Sequence, residues 1–542
     1  MPVSHQIAQW TKATKGLSKC LNKLNTSTLL MARRFIYVGP NKGKRAKLGR
    51  ELKYAIVGGT LLISYSYMPG HLSADTVKGI SQFSTSHVLA NAKAKKASES
   101  QSNVISLLTE AEVNRRLHSM EQSYLVNRGS GIVRYDVSQL PSNVPIEDTH
   151  VEQIITVPSE DAQSTDDLYF FGIFDGHAGP YTSAKLETDL VPYVARQLGL
   201  VYSKQTELLT SDAIDNAIVE GFVQLDNELV YNALGTFLSA PSRETLLEAL
   251  PAASGSCALL ALYDSKNSAL KIALAGDSRA LVGRLEDGNK WTVESLSLDQ
   301  TGERDSEVER IKAEHPNEPD CIRNGRLLGS LQPSRAFGDC RFKVASINGN
   351  KIADLPEHLQ LHFRKEPKNL LTPPYLTARP EITTAHVGPT TKFMVMASDG
   401  LFELLSNEEI AGLVVKWMEA YPVKDGRSTL KPSTKGKLPP VTDISPDKES
   451  LRPQYKYESP DKTESEYLLE DANVSTHLIR NALSAGGDKR YVSSLISIPS
   501  PKSRNYRDDL TVTVVFFGDE KETASDQIIL NHAATTPAKP RL

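Results

Sequence analysis

A chain of 542 residues with 39% apolar residues has ample material for a core, either one large domain or several ordinary ones, and its net charge of −3 gives no global footprint for nucleic acid. Four cysteines, Cys20, Cys257, Cys321 and Cys340, lie far apart with no paired spacing. That argues against a disulfide framework or a zinc cluster, and for a reducing compartment.

The first fifty residues contain no Asp or Glu but eleven Lys and Arg, from Lys12 to Arg50, interleaved with Leu, Ile, Ser and Thr. This is the composition of a mitochondrial targeting segment, here taken as residues 1–53; a basic arm that binds an acidic surface is the plainer alternative. Residues 54–68, YAIVGGTLLISYSYM, are apolar but short of the ~20 residues a membrane-crossing helix needs. A sorting signal, a marginal membrane anchor and a buried helix all fit them. Residues 69–106 are small and polar, as expected of a linker, and the main folded domain is expected over 107–520.

Within it, residues 113–126 have helical spacing, 129–137 read as an opening strand, and 151–157 as another, preceded by Glu147 and Asp148. Residues 169–174 have the aromatic and β-branched content of a buried strand that ends abruptly in Asp175, Gly176 and His177. If the chain stays extended there, Asp175 and His177 point to the same side, and Gly176 lets a backbone carbonyl approach a metal or ligand. Taken alone, the tripeptide reads more simply as an Asx turn with a solvated histidine.

Residues 190–200 and 213–234 are expected to form two amphipathic helices. The segments GSCALLALYD, ALKIALAGDSRALVGR and WTVESLSLD then follow as strands with no helix between them. That succession implies an antiparallel sheet, not a doubly wound parallel one. Residues 306–315 read as a charged helix and 325–342 as a turn-rich surface segment. A second buried strand, 393–397, again ends in polar residues, Ser398, Asp399 and Gly400. Residues 407–421 are expected to be helical, 422–463 to lack the apolar content to fold alone, and 466–485 to be helical again. The alternating strand of YRDDLTVTVVFFG brings Asp508 and Asp509, and 521–542 is expected to be a disordered tail.

Separate strand ends or turns thus supply Glu147, Asp175, Asp277, Asp399 and Asp508. Carboxylates gathered in a cleft raise each other's pKa strongly, and divalent cations are the usual compensation. An all-oxygen donor set favours magnesium, manganese or calcium over zinc. A pair of such ions can activate a water and hold phosphate oxygens, with His177 protonating the leaving alkoxide as general acid.

In order, the motifs IED, DGHAG, SGSCA, GDSRA, GSLQPSRAFGD, ASDGLFE and RDDLTV are spaced through one domain. The set resembles the type 2C family of metal-dependent serine/threonine protein phosphatases over about residues 120–520. The resemblance implies an α+β fold, a four-layer αββα sandwich of two antiparallel sheets flanked by helices. It also implies two divalent cations, magnesium or manganese, with a weaker third near Asp277. Carried over by residue, Asp175, Asp399 and Asp508 would bind one ion, and Glu147 and the Gly176 carbonyl the second, with Asp175 bridging. Asp148, Asp339 and Asp509 match acidic or amide positions beside that centre, where direct ligation and a turn-forming or supporting role are both open.

Two departures stand out. Many members of the family carry, four residues before the metal-binding Glu, an Arg that grips substrate phosphate; this chain has Asn143, whose neutral amide cannot replace a bidentate guanidinium. Glu403 stands where many relatives have Asp. Together with SNVPIED, PYLTARPEI, STHLIRNAL and NYRDDLTVTVV, these departures resemble the mitochondrial pyruvate dehydrogenase phosphatase branch of the family. The resemblance implies a phosphoserine protein substrate, the decarboxylase component of pyruvate dehydrogenase.

Rival chemistries fare worse on the residues. No Cys is followed six positions later by Arg, as a cysteine phosphatase requires, and no EF-hand loop or phosphate-cradling Gly-rich loop is present. Two alternatives stay open: a type 2C phosphatase of another mitochondrial or peroxisomal protein, given the final Pro540-Arg541-Leu542, and an inactive pseudo-phosphatase scaffold.

Overall fold

The computed structural model describes residues 65–66, 106–158, 165–204, 210–423, 437–447, 451, 453–455, 466–518 and 527–536. The basic segment, all of the 54–68 stretch except two residues, and the linker up to residue 105 lie outside the described residues. Among the described residues, no helix is long and apolar enough to cross a membrane.

Two sheets carry the architecture. One has six strands in the order Tyr65–Ser66, Thr149–Pro158, Thr165–Phe174, Ala258–Asp264, Ala269–Ala275 and Glu381–His386, paired antiparallel throughout. The other has eight, in the order Val441–Asp443, Lys290–Ser295, Arg279–Glu286, Thr391–Ala397, Leu510–Phe517, Ile132–Leu140, Glu121–Asn127 and Gln527–Leu530. Its single parallel pairing is between Lys290–Ser295 and Val441–Asp443.

The layers follow from side-chain alternation along the strands. In Thr165–Phe174, Tyr169, Phe171 and Ile173 point into a core shared with Met394, Met396 and Val515 of the other sheet. Leu168, Phe170 and Phe174 point the opposite way, onto the helices Tyr181–Lys204 and Ser211–Asn227. A strand buried on both faces has to be apolar throughout, which is why this run was so visible in the sequence. On the far side of the eight-stranded sheet, Leu281, Val395, Val512 and Val514 pack under the helices Asn407–Ala420, Val474–Ala482 and Lys489–Ser497. The result is the expected αββα sandwich.

Several elements differ from the sequence reading. Residues 113–126 are not one helix: the helix Glu110–Leu117 ends, and Glu121–Asn127 pairs as a strand with Ile132–Leu140 across glycines 129 and 131, both at positive φ. Short-range spacing resembled a helix, but sheet pairing decided. The second helical stretch, 213–234, passes through a wider π-type turn at Glu228–Ala233 before continuing as Leu234–Ser239. In 466–485 only Val474–Ala482 is helical, because the Asn473 side chain accepts from the amides of Ser475 and Thr476 and fixes the start there. Two segments expected not to fold each give the eight-stranded sheet a strand: Val441–Asp443 in the 422–463 insertion and Gln527–Leu530 in the tail. Both lie at a sheet edge, where backbone pairing substitutes for apolar content.

Candidate active site and metal centre

The register of the two sheets gathers the acidic positions at one end. Thr149 pairs with Phe174, Ala258 with Ala275, Arg279 with Ala397, and Leu510 with Leu140. The residues just outside these pairs therefore emerge side by side: Glu147 and Asp148, Asp175, Asp277, Asp399, Asp508 and Asp509. Local backbone demands explain the glycines among them. A Cβ on Gly176 would lie 2.1 Å from the Glu147 carbonyl oxygen, and Gly276, at φ +135°, would press on the Cys257 side chain.

Carboxylate oxygens of Asp175, Asp277 and Asp399 come within 4.8 Å of one another. With Asp508 and Glu403 they line a cleft of about 640 Å³ that also includes Gly176, His177 and Asp339. Burial first, and then the neighbouring aspartates, push Asp175 and Asp399 well above the usual carboxylate range. Burial likewise lifts Asp277 to about 6, and burial with the charges of Asp508 and Asp277 lifts Glu403 to about 7. Asp399 Oδ1 is buried and finds no hydrogen-bond partner among the described residues. A buried carboxylate oxygen left without a donor, amid mutually repelling carboxylates, is what a hard divalent cation relieves. The residues present fit such a group.

His177 belongs to a small separate sheet. Gly176–His177 pairs with Gly255–Ser256, which pairs with Phe337–Gly338, and this brings Asp339 against the imidazole with Nε2 to Oδ2 at 2.5 Å. Only glycine fits at 255, since a Cβ there would lie 2.2 Å from both of those atoms. Asp339 takes a left-handed backbone conformation, φ +49°, and its amide donates to the Ser254 carbonyl at 2.7 Å. Burial opposes a charge on His177, but Asp339, with smaller help from Asp277 and Glu147, raises the imidazole's pKa.

Glu147 sits on a loop bracketed by one carboxylate. Asp509 accepts from the amides of Ser142, Asn143 and Glu147 at 2.5, 3.0 and 2.9 Å. The Asn143 side-chain amide donates to Asp509 Oδ2 at 3.2 Å and to Glu147 Oε2 at 3.3 Å. Asp148 is buried and accepts from Thr511 Oγ1 at 2.8 Å. Asp509, Asp148 and Asp339 thus each bind protein groups directly.

Sequence reasoning missed the cations of the cleft. Arg504 ion-pairs with Asp508 at 2.5 Å, on a turn tied to the Asn143 loop by Ser503 Oγ donating to the Ser142 carbonyl at 2.5 Å. Arg326, Arg341 and Arg364 line the same cleft, as does Tyr455 from the insertion, whose amide donates to the Glu403 carbonyl at 2.8 Å. The four-residue spacing of Arg504 and Asp508 was the one available signal. The others come from turn-rich or insertion segments whose approach to the cleft only the fold reveals.

The family model described as Protein phosphatase 2C matches residues 143–432. The chain belongs to this family of serine/threonine protein phosphatases, which depend on divalent metal. Among relatives, the [pyruvate dehydrogenase [acetyl-transferring]]-phosphatase 1, mitochondrial, of Saccharomyces cerevisiae is 51% identical, with 98% of this chain and 98% of that protein covered. A protein phosphatase 2C homolog of Schizosaccharomyces pombe is 39% identical over 76% of this chain and 85% of its own. The Homo sapiens mitochondrial [pyruvate dehydrogenase [acetyl-transferring]]-phosphatase 1 is 28% identical over 76% of this chain and 83% of its own.

Proposed function

We propose that this phosphatase removes phosphate from serine on pyruvate dehydrogenase in mitochondria, and that the clustered carboxylates hold two divalent cations, magnesium or manganese. The substrate reading is supported by 51% identity across nearly the whole of both chains to a phosphatase named for pyruvate dehydrogenase. The acid-free basic segment of the first fifty residues and the relatives named as mitochondrial support the location.

In this reading Asp175, Asp399 and Asp508 would hold one ion, and Glu147, the Gly176 carbonyl and Asp175 the second, with Asp277 beside a weaker third. Such ions would supply Lewis-acid charge that lowers the pKa of a bound water and offsets the charge on phosphate oxygens. The observation that carries the assignment is the buried, donorless Asp399 Oδ1 within a ring of aspartates. His177, its pKa raised by Asp339, donates a proton from its ring to the departing serine alkoxide. Asn143 acts on substrate only through Glu147, whose carboxylate it holds. Arg504 supplies the guanidinium that position 143 lacks, on a turn fastened to the same loop.

The test is phosphate release from phosphorylated pyruvate dehydrogenase with manganese or magnesium present. Release from this protein faster than from unrelated mitochondrial phosphoproteins is expected. Hydrolysis of generic phosphoserine peptides without that preference would overturn the substrate, and no hydrolysis at all would point to a scaffold.

A further inference from the structure

The floor of the cleft is acidic, yet one part of its wall carries two arginines without a carboxylate ion pair among the described residues. Arg341 sits in the short helix Cys340–Lys343 with its guanidinium 4.5 Å over the Phe342 ring. Its Nε is buried and has no hydrogen-bond partner among the described residues, and its one bond, to the Lys365 carbonyl, is long at 3.4 Å. Burial disfavours the charge on Arg341 and the charge of Arg364 adds to this, while the Asp339 carboxylate offsets only part of it. Asp339, two residues before it, is already taken by His177. Among the described residues, neither guanidinium ion-pairs with a carboxylate.

The backbone at both positions is anchored by a neighbouring residue. Lys343 anchors the short helix through a 2.6 Å ion pair to buried Asp226, and Phe363, next to Arg364, stacks on Phe237 with centroids 5.8 Å apart. Two cations lining one cleft wall, one with a buried unused donor, form a site that costs free energy until an anion arrives. Both side chains line the cleft proposed to receive phosphoserine, so an acidic group of the same substrate chain is within their reach.

We infer that Arg341 and Arg364 form a second anion subsite that binds an acidic group flanking the scissile phosphoserine, either an Asp or Glu side chain or another phosphoserine. The inference rests on the proposed placement of phosphoserine at the carboxylate cluster. It makes the enzyme selective for acidic sequence context, through KM more than kcat.

Three phosphoserine peptides differing only at flanking positions test this: one with Asp, one with a second phosphoserine and one with Asn. The expected result is a kcat/KM about tenfold higher for one or both acidic-context peptides than for the Asn peptide, the size of one charge-assisted contact. Comparing the first two tells which anion is used. Arg364→Glu, at an exposed position, should invert the preference, and Arg341→Met should remove it; raising ionic strength should shrink it. Fluorescence anisotropy of the unphosphorylated Asp and Asn peptides gives the same ranking without turnover. Equal kcat/KM for all three peptides, or a preference unchanged in Arg364→Glu, would overturn the subsite. Loss of hydrolysis of all three peptides by the wild-type protein would instead sink the cleft assignment itself, which separates the two failures.

Discussion

Nε2 of His177 stands 2.5 Å from Oδ2 of Asp339, a residue 162 positions further along the chain. The pairing gives the imidazole a carboxylate whose own pKa is held below its usual range, against the cost of burial, by that same imidazole. If the pair exists to protonate a departing alkoxide, its value depends on how poor the leaving group is. His177→Gln should cut turnover of phosphoserine peptides by about 10²–10⁴-fold while affecting p-nitrophenyl phosphate far less. Asp339→Asn should shift the same ratio in the same direction by a smaller factor. Equal losses on alkyl and aryl phosphates would remove general-acid catalysis from the account.

The aspartate ring makes a different prediction, on stability. Removing one of several mutually repelling carboxylates relieves the metal-free protein, so Asp399→Asn should melt at a higher temperature than wild type after chelation. Wild type should gain about 2.7 kcal/mol when manganese reaches a hundredfold above its dissociation constant, and the variant should gain little of this. Calorimetry with and without manganese reads both. A variant that loses turnover but keeps the full manganese stabilisation would exclude Asp399 as a ligand.

Much of this centre was legible because strands buried on both faces are continuous apolar runs, and their ends are sharp. Asp175 and Asp399 announced themselves where FFGIF and FMVMA stop, and the sheet register then brought them together. What could not be read is pairing between distant segments. The tie of Asp509 to the amides of Ser142 and Glu147 spans more than 360 residues, and nothing in DD distinguishes the carboxylate facing the cleft from the one holding a loop. Edge strands such as Val441–Asp443 failed for a related reason: they add backbone hydrogen bonds without apolar content, so composition marks them as unfolded.

Arg504 offers a test of compensation between two positions. Arg504→Gln should raise KM for phosphoserine peptides and weaken inhibition by inorganic phosphate, each by about tenfold, with a smaller effect on kcat. Because Ser503 fastens the Arg504 turn to the loop of Asn143, a guanidinium supplied from the loop should stand in for the lost one. Asn143→Arg in the Arg504→Gln background should therefore recover part of the phosphate affinity. A double variant no better than the single one would mean that the two positions serve different purposes.

Far from the cleft, His118 should set the alkaline limit of stability. It follows the helix Glu110–Leu117 and lies 3.0 Å from both Glu121 and Asp471, the latter also gripped by Arg480 at 2.6 Å. Burial works against its charge, but the two carboxylates raise its pKa to about 9. In the unfolded chain a histidine titrates near 6.5, so the folded protein binds the extra proton between about pH 6.5 and about pH 9. The stabilisation is complete below that window and is lost as pH rises through it, on the order of 2 kcal/mol in all. Thermal unfolding of wild type and His118→Gln at fixed metal concentration should therefore differ most near pH 6 and converge toward pH 9.5. A gap between the two that stays constant across this range would show that His118 contributes packing and hydrogen bonds without a proton.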